Sequence, residues 1–434
     1  MEMRQSPLDG KGSLIFTYPF MLNMQQADIL RDICLFLFIR NEVNMKDWKK
    51  KSILFLVSQN ISLFGSSIVS YAITWYITLE TSSGIWMTAS ILCSLLPQLF
   101  ISLFAGVWAD RYNRKYLIMC ADGFIALATL GLVIMFFEGK ASLPMLMVVS
   151  AIRSVGAGVQ TPAVGALLPQ IVPMEKLTRI NGINQTCSSL LMMVSPAVGG
   201  ALLGAAGIVW AMMADVITAA MAICVMAFLK VKKPESEGVL SMWHDLKEGI
   251  SYTTGHPVVS RILIFYGIAF FLITPAAFLS PLLVERIFGS EVWRLSANEI
   301  IWTAGSLAGG VYVSWKGSFK NKWLVIAVSY IGFGVTFALL GISPYFWMYL
   351  AVMFISGVFM PSLATASTVM LQEEVEEQRL GRVFSVFQII SAAVMPAGML
   401  LFGPMADWID IRWIMAGSGL LLALTGVFLL KHKS

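Results

Sequence analysis

Three ionisable side chains lie deep inside long apolar segments of this chain. Asp122, Arg153 and Asp215 each interrupt a largely apolar run that is long enough to cross a bilayer. A charge at the centre of a membrane helix costs about 2.5–3.5 kcal/mol on insertion scales, so such residues face other helices or a cavity. A carboxylic acid in such a place can take a proton from one side of the membrane and release it to the other. We therefore predict that these three residues provide proton coupling.

A structural role is the alternative for each of these residues. Arg153 can form a fixed polar pair that holds two helices together, and either aspartate can cap a helix or form an interhelical hydrogen bond. The residue types alone do not separate the two roles, because both need a partner inside the membrane. Asp122 and Asp215 are the deep acids of the N-terminal half.

The composition is that of a chain that lies mostly in lipid. Of its 434 residues, 57% are hydrophobic and 13% are charged, and the mean hydropathy is +0.77. Soluble domains average about 45–50% apolar and about 25% charged residues. The net charge of +5 does not indicate nucleic-acid binding, because the basic residues lie in short loops between apolar runs. At about 20 residues per span, the length fits about twelve spanning helices.

We predict an all-α membrane protein with twelve transmembrane helices in two pseudo-symmetric six-helix bundles. The helices are expected at residues 52–79, 86–109, 115–137, 143–168, 181–206, 208–230, 259–287, 296–315, 322–342, 345–370, 382–407 and 411–431. A short hydrophilic turn separates the second run from the third. In that turn we expect Asp110 to end one helix and Asn113 to adopt the left-handed conformation.

The distribution of lysine and arginine sets the predicted orientation. With Met45 placed in the cytoplasm, twenty-one basic residues fall in cytoplasmic segments, and only four fall in outer loops: Lys140, Arg286, Arg294 and Arg412. Cytoplasmic loops are enriched in these residues. We therefore predict a multi-pass protein of a bacterial-type cytoplasmic membrane with both termini inside the cell.

Four regions follow along the chain. Residues 1–44 form an N-terminal extension, which we interpret as a disordered arm or an upstream-start artefact, with an interfacial regulatory helix as the alternative. Residues 45–230 form the N-terminal six-helix bundle. Residues 231–258 form a cytoplasmic linker with a short amphipathic surface helix at 241–253. Residues 259–434 form the C-terminal bundle.

The two halves echo each other in sequence. The segment 106–115 has a weak counterpart at 310–322, and the segment 170–179 has a clearer one at 372–382. Each member of the second pair leads into a helix that carries a proline, at Pro196 or Pro396. Parallel repeats joined by a cytoplasmic linker are typical of a transporter whose halves rock about a central site.

The chain resembles the major facilitator superfamily over residues 46–433. Its loop Gly106-Val-Trp-Ala-Asp110-Arg111-Tyr-Asn113-Arg114-Lys115 is similar to the family signature Gly-x-Leu-Ala-Asp-Arg-x-Gly-Arg-Lys, with Trp108 for Leu and Asn113 for Gly. The resemblance implies a gating role for this loop. Asp110 is expected to accept hydrogen bonds at the start of the eleventh helix, near 381–385, and an ion pair with Arg114 is the alternative.

Two further motifs resemble the proton-driven exporters of that superfamily. Ser195-Pro196-Ala-Val-Gly199-Gly200 is similar to their fifth-helix signature, and Arg153-Ser-Val-Gly156-Ala-Gly158 to their fourth-helix signature. The run Leu380-Gly-Arg-Val-Phe-Ser385 looks like the macrolide efflux branch. The fifth-helix motif is expected either to pack helices closely or to form a kinked interface that seals one side.

The family pattern also implies a substrate cavity between the first, fourth, seventh and tenth helices. Aromatic and methionine side chains there would give a soft apolar wall for a bulky amphipathic ligand. The candidate lining residues are Gln59, Asn60, Tyr71, Trp75, Gln160, Tyr266, Phe270, Phe271, Phe278, Met353, Phe354 and Met360.

The sequence carries no motif for a cofactor, a metal or catalysis. It has no Walker phosphate loop, no His-Glu-x-x-His and no Cys-x-x-Cys pair, and we expect neither an enzyme nor ATP-driven transport. The five cysteines show no metal-ligand spacing.

The resemblance implies a secondary transporter that exports an amphipathic drug-like compound in exchange for protons, with a macrolide as the first expectation. The alternatives are an exporter of a siderophore or other metabolite, and a membrane sensor or lipid-handling protein on the same fold. The expected partners are the small substrate, protons and the lipid bilayer, without nucleic acid, and we expect a monomer. The deep charges favour a pump over a sensor, since a receptor has no need of such costly groups.

Overall fold

The computed structural model describes residues 47–231, 250–376 and 379–431 of the chain. Within these residues we number thirteen helices in chain order: α1 (Asp47–Thr81), α2 (Gly84–Arg111), α3 (Arg114–Phe137), α4 (Leu143–Ile171), α5 (Met174–Ala206), α6 (Ile208–Ala227), α7 (Pro257–Phe278), α8 (Ser280–Phe288), α9 (Val292–Lys316), α10 (Lys322–Ile342), α11 (Phe346–Glu374), α12 (Leu380–Trp408) and α13 (Ile411–Lys431). The predicted extension 1–44 and most of the predicted linker lie outside the described residues. Residues 250–255, from the end of that linker, are helical.

The helices confirm the predicted all-α membrane fold. Eleven stretches are long and apolar enough to cross a membrane, and α7 and α8 together form one of them, Pro257–Phe288. The eighth predicted span, 296–315, corresponds to α9, which is less apolar because Asn298 and Glu299 lie within it. The seventh span is broken at Leu279, two residues before Pro281 in the first turn of α8, where a missing N–H is tolerated.

Some predicted boundaries and one predicted turn differ from the structure. α5 begins at Met174 rather than at residue 181, and α11 runs to Glu374 rather than to residue 370. The left-handed conformation predicted for Asn113 is wrong, because its φ is −68° and its ψ is 112°. Asn113 instead caps α3, and its side-chain oxygen accepts a hydrogen bond of 3.1 Å from the Lys115 N–H.

The two halves have the same pattern of helix neighbours. In the N-terminal half α2 packs on α4, α3 on α4 and α6, and α1 on α5 and α6. In the C-terminal half α9 packs on α11, α10 on α11 and α13, and α7 on α12 and α13. Each pairing in one half therefore recurs six spans later, which is the arrangement expected of two parallel repeats.

Contacts between the halves lie near the end of the bundle that carries the loops after α1, α5 and α8. We call this end the predicted outer end, following the orientation inferred from the basic residues. There α5 packs on α9, and α2 packs on α12. A side chain on Gly200 would collide with Ser296, and one on Gly84 would collide with Gly403. Small residues therefore bring the halves together at this end.

The fifth-helix motif takes part in this contact. An added Cβ on Gly199 would lie 3.4 Å from the carbonyl oxygen of Ile68 on α1, and Gly200 faces α9 across the interface. Pro196 is buried within α5. The motif thus packs α5 against α1 of its own half and α9 of the other half, and a kinked interface that seals one side stays a prediction.

An acidic side chain from one half caps a helix of the other at the predicted outer end. Asp407, near the end of α12, accepts hydrogen bonds from the N–H groups of Gly84 (2.7 Å) and Ile85 (3.0 Å) and from the Ser83 hydroxyl (2.7 Å). The Arg286 guanidinium lies 2.9 Å from the same carboxylate. A negative charge at a helix N-terminus is stabilising, so Asp407 holds α2 and α12 together.

Asp407→Ala should weaken this closure. Loss of these charge-assisted hydrogen bonds should raise the outer-open population about 5- to 30-fold, which corresponds to about 1–2 kcal/mol. The measurement is the distance between spin labels on Lys140→Cys and Tyr345→Cys, which lie in outer-end loops of opposite halves, with the native cysteines replaced by serine. Asp410→Ala is the control, since Asp410 accepts only from the Arg412 N–H in its own half among the contacts described. An unchanged distance distribution in Asp407→Ala would contradict the role of this cap.

Candidate functional site

The three deep charges predicted from the sequence belong to two polar layers between α1, α3, α4 and α6. Asp122 and Thr129 lie seven residues apart on α3, and Arg153 and Gln160 lie seven residues apart on α4, so each pair shares one helix face. The two helices run in opposite directions. Thr129 therefore meets Arg153 in one layer, and Asp122 meets Gln160 in the other.

The first layer is a buried ion pair. The Arg153 guanidinium donates to Asp215 on α6 and to the Thr129 hydroxyl on α3. The Ser66 hydroxyl on α1 donates to the other oxygen of Asp215 at 3.1 Å. Arg153 is 9% exposed and Asp215 is 1% exposed. Opposite charges in contact compensate part of the cost of burying each of them, so this layer joins four elements of the N-terminal half.

The second layer contains a carboxylate that has no cationic partner among the described residues. The Ser62 hydroxyl and the Gln160 side-chain amide donate to Asp122 Oδ1 at 2.6 Å and 2.7 Å. The other oxygen, Oδ2, is buried and has no hydrogen-bond partner in the described part of the chain. A buried carboxylate without a counter-charge is costly, whereas a neutral carboxylic acid at the same place is not.

Glycines of the fourth-helix motif let the neighbouring helices approach these layers. A Cβ on Gly156 would lie within 3.0 Å of Ile125 on α3, and one on Gly158 would lie 2.9 Å from the carbonyl oxygen of Gln98 on α2. Ser154 accepts a 2.9 Å hydrogen bond from the Gln98 N–H. These contacts fix the rotation of α4, which directs Arg153 and Gln160 toward α3.

A cavity of about 520 Å³ lies beside both layers. Most of the side chains that line it are polar. These polar side chains come from α1, α2, α4 and α5. The lining residues are Gln59, Asn60, Ser62, Leu63, Ser66, Ser70, Ile73, Thr74, Ile91, Ser94, Gln98, Ile125, Ser150, Arg153, Ser154, Ala157, Gln160, Thr161, Val164, Asn184 and Ser188. Because Arg153 and Gln160 line it, a ligand in the cavity can contact both layers.

The predicted substrate-cavity residues are placed in two different surroundings. Gln59, Asn60 and Gln160 line this cavity. Gln59 Nε2 and Asn60 Oδ1 are buried and have no hydrogen-bond partner within the described ranges, so both leave hydrogen-bonding capacity unused in this conformation. The other candidates lie outside the lining of this cavity, among them Tyr71, Trp75, Phe278 and Met360.

Three aromatic candidates of the C-terminal half, Tyr266, Phe270 and Phe271, pack against other aromatic rings of that half. Tyr266 stacks on Phe270 with ring centroids 4.2 Å apart, and it also contacts Phe387. Phe271 contacts Phe402. Met353 is buried, and Phe354 is partly exposed on α11. In this conformation the polar residues of the cavity and the aromatic side chains around Tyr266 therefore lie on different halves.

The loop motif forms contacts within its own half. Asp110 Oδ1 lies 3.4 Å from Arg114, and the Asp110 side chain is 64% exposed. Arg114 also donates to the carbonyl oxygens of Ala109 and Ala166, and Lys115 donates to that of Ala227. Arg111 is exposed, and a Cβ on Gly106 would meet open space. The structure thus has the ion pair foreseen as the alternative, and the contact of Asp110 with the start of α12 stays a prediction.

Sequence reasoning missed several partners and one further acid. Ser62, Ser66 and Thr129 complete the layers, and the i, i+4 and i, i+7 spacing of the polar residues could have indicated them. Glu299 lies in α9 of the C-terminal half, beside the fully buried Asn298. The same signal that drew attention to Asp122, an acid inside a spanning helix, was available for Glu299.

No group of three or more metal-ligating side chains occurs among residues 47–231, 250–376 and 379–431.

The model of the transmembrane secretion effector family matches residues 51–433. The chain belongs to this family of the major facilitator superfamily. Its relatives include macrolide efflux protein A of Streptococcus pyogenes, which is 29% identical over 389 residues, or 87% of this chain and 95% of that protein. The enterobactin exporter EntS of Shigella boydii is 24% identical over 85% of this chain and 88% of its own length.

Solved structures of transporters have the same fold. A bacterial homologue of the human lysosomal transporter Spinster superimposes with a TM-score of 0.61 at 15% identity, over 88% of this chain and 95% of that chain. The family model and the relatives show that the chain is a multi-pass membrane protein of a transporter family.

Removing one partner of the buried Arg153–Asp215 pair should destabilise the protein more than replacing both partners with apolar residues. Asp215→Leu leaves Arg153 buried without its partner and should cost about 3–5 kcal/mol, whereas Arg153→Met combined with Asp215→Leu should recover most of that stability. The measurement is the melting temperature of the purified protein in detergent, followed by size-exclusion chromatography. If the double variant melts no higher than Asp215→Leu, the two residues do not act as a pair.

Proposed function

We propose that this protein exports an amphipathic, macrolide-type compound in exchange for protons, by alternating access of its two halves. The observation that carries the proposal is Asp122, an acid without a cationic partner in the described chain, joined to the cavity by Gln160. The similarity to macrolide efflux protein A supports the substrate class.

The two layers have different roles in the proposed cycle. Asp215 forms an ion pair with Arg153, so its negative charge is compensated. Asp122 has no such counter-charge in the described part of the chain, and it is the proton carrier in our proposal. The Arg153–Asp215 pair holds α3, α4 and α6 in register and provides a positive charge beside the cavity, which responds to the charge state of Asp122.

Gln160 connects proton release with substrate binding. With Asp122 ionised, the Gln160 amide nitrogen donates to it, and the amide oxygen is left to accept a hydrogen bond from a ligand. With Asp122 protonated, the acid can donate to the amide oxygen instead, and the amide then presents N–H groups. Proton release would thus prepare an acceptor for a hydroxyl or ammonium group of the substrate, which is the order that antiport requires.

The cavity suits an oxygen-rich ligand with an apolar body. Gln59, Asn60 and the serine and threonine hydroxyls of the N-terminal half provide donors and acceptors. The aromatic side chains around Tyr266 on the C-terminal half provide an apolar surface when the halves close on a ligand. Polar groups fix orientation and apolar contacts provide most of the affinity in sites of this kind.

A siderophore or other metabolite is the second candidate substrate. The similarity to the enterobactin exporter favours it, as does the excess of hydrogen-bonding groups in the cavity. The two candidates differ in net charge and in the share of apolar surface, so transport assays separate them directly.

The topology and assembly are part of the same proposal. We propose a monomer with both termini in the cytoplasm, with bundles at 45–230 and 259–434 joined by the linker 231–258. The excess of basic residues in the loops on one side supports the orientation.

Expression in an efflux-deficient bacterial cell should raise resistance to macrolides, and a proton uncoupler should abolish the increase. The measurement is the inhibitory concentration for a panel that contains macrolides, other amphipathic drugs and a catecholate siderophore. Resistance confined to the siderophore would favour the second candidate. An increase that persists with the uncoupler would contradict proton drive.

Asp122→Asn should abolish macrolide efflux driven by a pH gradient and retain downhill exchange of labelled macrolide, because the amide binds no proton. Both are measured in proteoliposomes. The control is Glu138→Gln, which changes an exposed acid in the loop that follows the same helix. Gradient-driven efflux at the wild-type rate in both Asp122→Asn and Asp215→Asn would contradict the proposed coupling.

A further inference from the structure

A second polar cluster lies in the C-terminal half, around Glu299. Asn298 donates from its amide nitrogen to Glu299 and to Ser280 on α8, each at 3.2 Å. The Tyr349 hydroxyl on α11 donates to the Asn298 oxygen at 2.8 Å. Asn298 is fully buried, so it ties the Glu299 carboxylate to the rigid part of its own half.

Glu299 lies one helical turn from the contact between the halves. Ser296, three residues earlier on α9, faces Gly200 of the N-terminal half, and Trp75 of α1 also faces Gly200. Tyr71 on α1 packs on Trp75 with ring centroids 5.3 Å apart, which places it in the same part of the interface. When the halves separate at the predicted outer end, this is the surface that water reaches first.

The groups that face Glu299 are neutral. The titratable ones are Tyr71 from the opposite half and Tyr349 from α11, and the others are Asn298 and Ser280. Among the described residues no Lys or Arg pairs with this carboxylate, whereas Arg294 on the same helix pairs with Glu291. The Glu299 side chain is only partly exposed in the closed interface. An ionised carboxylate is stabilised by water or by a cation, and these groups supply no cation.

We propose that Glu299 is a second proton-binding site, which must be protonated for the halves to close at the predicted outer end. Opening of the interface hydrates the carboxylate and favours its ionised form, and closure favours the neutral acid. Closure is therefore linked to uptake of one proton, so lower pH favours the closed interface and higher pH favours the open one. The assignment of this step to the return of an exporter rests on the proposed function.

The outer-end distance between labels on Lys140→Cys and Tyr345→Cys tests the proposal in purified, substrate-free protein. For the otherwise wild-type protein we expect a shift from closed to open distances as the pH rises from about 5 to about 9, a range that covers the titration of a perturbed carboxylic acid. Glu299→Gln should stay closed over the whole range. Glu299→Asp should keep the pH dependence, with a changed midpoint.

Matched variants make the result specific. Glu291→Gln removes an exposed acid of the same helix and should behave as the wild type. Glu299→Met is a second neutral variant, for use if Glu299→Gln does not fold. Wild-type pH dependence in either neutral variant, or no pH dependence in the wild type, would overturn the proposal.

The outcome is independent of the substrate. Failure of macrolide or siderophore transport would remove the proposed function but leave the pH-dependent distance change and its loss in Glu299→Gln. Conversely, Glu299→Gln could transport normally under a pH gradient and show the wild-type pH dependence of the outer-end distance. That result would contradict the role of Glu299 and leave the proposed function standing.

Discussion

The structure depends on the cost of placing ionised groups where water is scarce. Arg153 cannot remain charged inside the N-terminal half unless other helices supply acceptors, and it receives them from Asp215 and Thr129. The packing of α3, α4 and α6 follows from this requirement. Gly156 and Gly158 allow the close approach of α4 to α3 and α2, because side chains at these positions would push the two helices away.

The same constraint separates two aspartates that are alike in sequence. Asp215 has a cation in contact, whereas Asp122 has only neutral donors and one oxygen without a partner among the described residues. A paired charge stabilises a fixed arrangement, whereas the ionised form of a buried acid without a counter-charge is costly. The two layers thus place a compensated ion pair and an acid without a cationic partner in the described chain side by side, next to one cavity.

The interface between the halves uses helix ends and small residues rather than a large apolar surface. Asp407 caps α2 from the opposite half, and Gly200 brings α5 against α9. The polar groups in such contacts can bond either to each other or to water. An interface of this kind can therefore open and close, as the proposed rocking motion requires. The predicted contact of Asp110 would join the same two helices, α2 and α12, at their opposite ends, so that one end opens as the other closes.

The sequence by itself determined the helices, the superfamily and the deep positions of Asp122, Arg153 and Asp215, because apolar length and the cost of buried charge are local properties. It did not determine which acid pairs with Arg153, since α3 and α6 each carry a deep acid and only the packing places Asp215, and not Asp122, beside Arg153. Nor did it indicate the role of Asn113 as a cap, the break at Leu279 or the position of Glu299 beside the interface. The partner of Arg153 and the surroundings of Glu299 depend on which helix faces which, so tertiary structure decided them. The Asn113 cap and the break at Leu279 are local, but each is one of several backbone conformations that the residues allow.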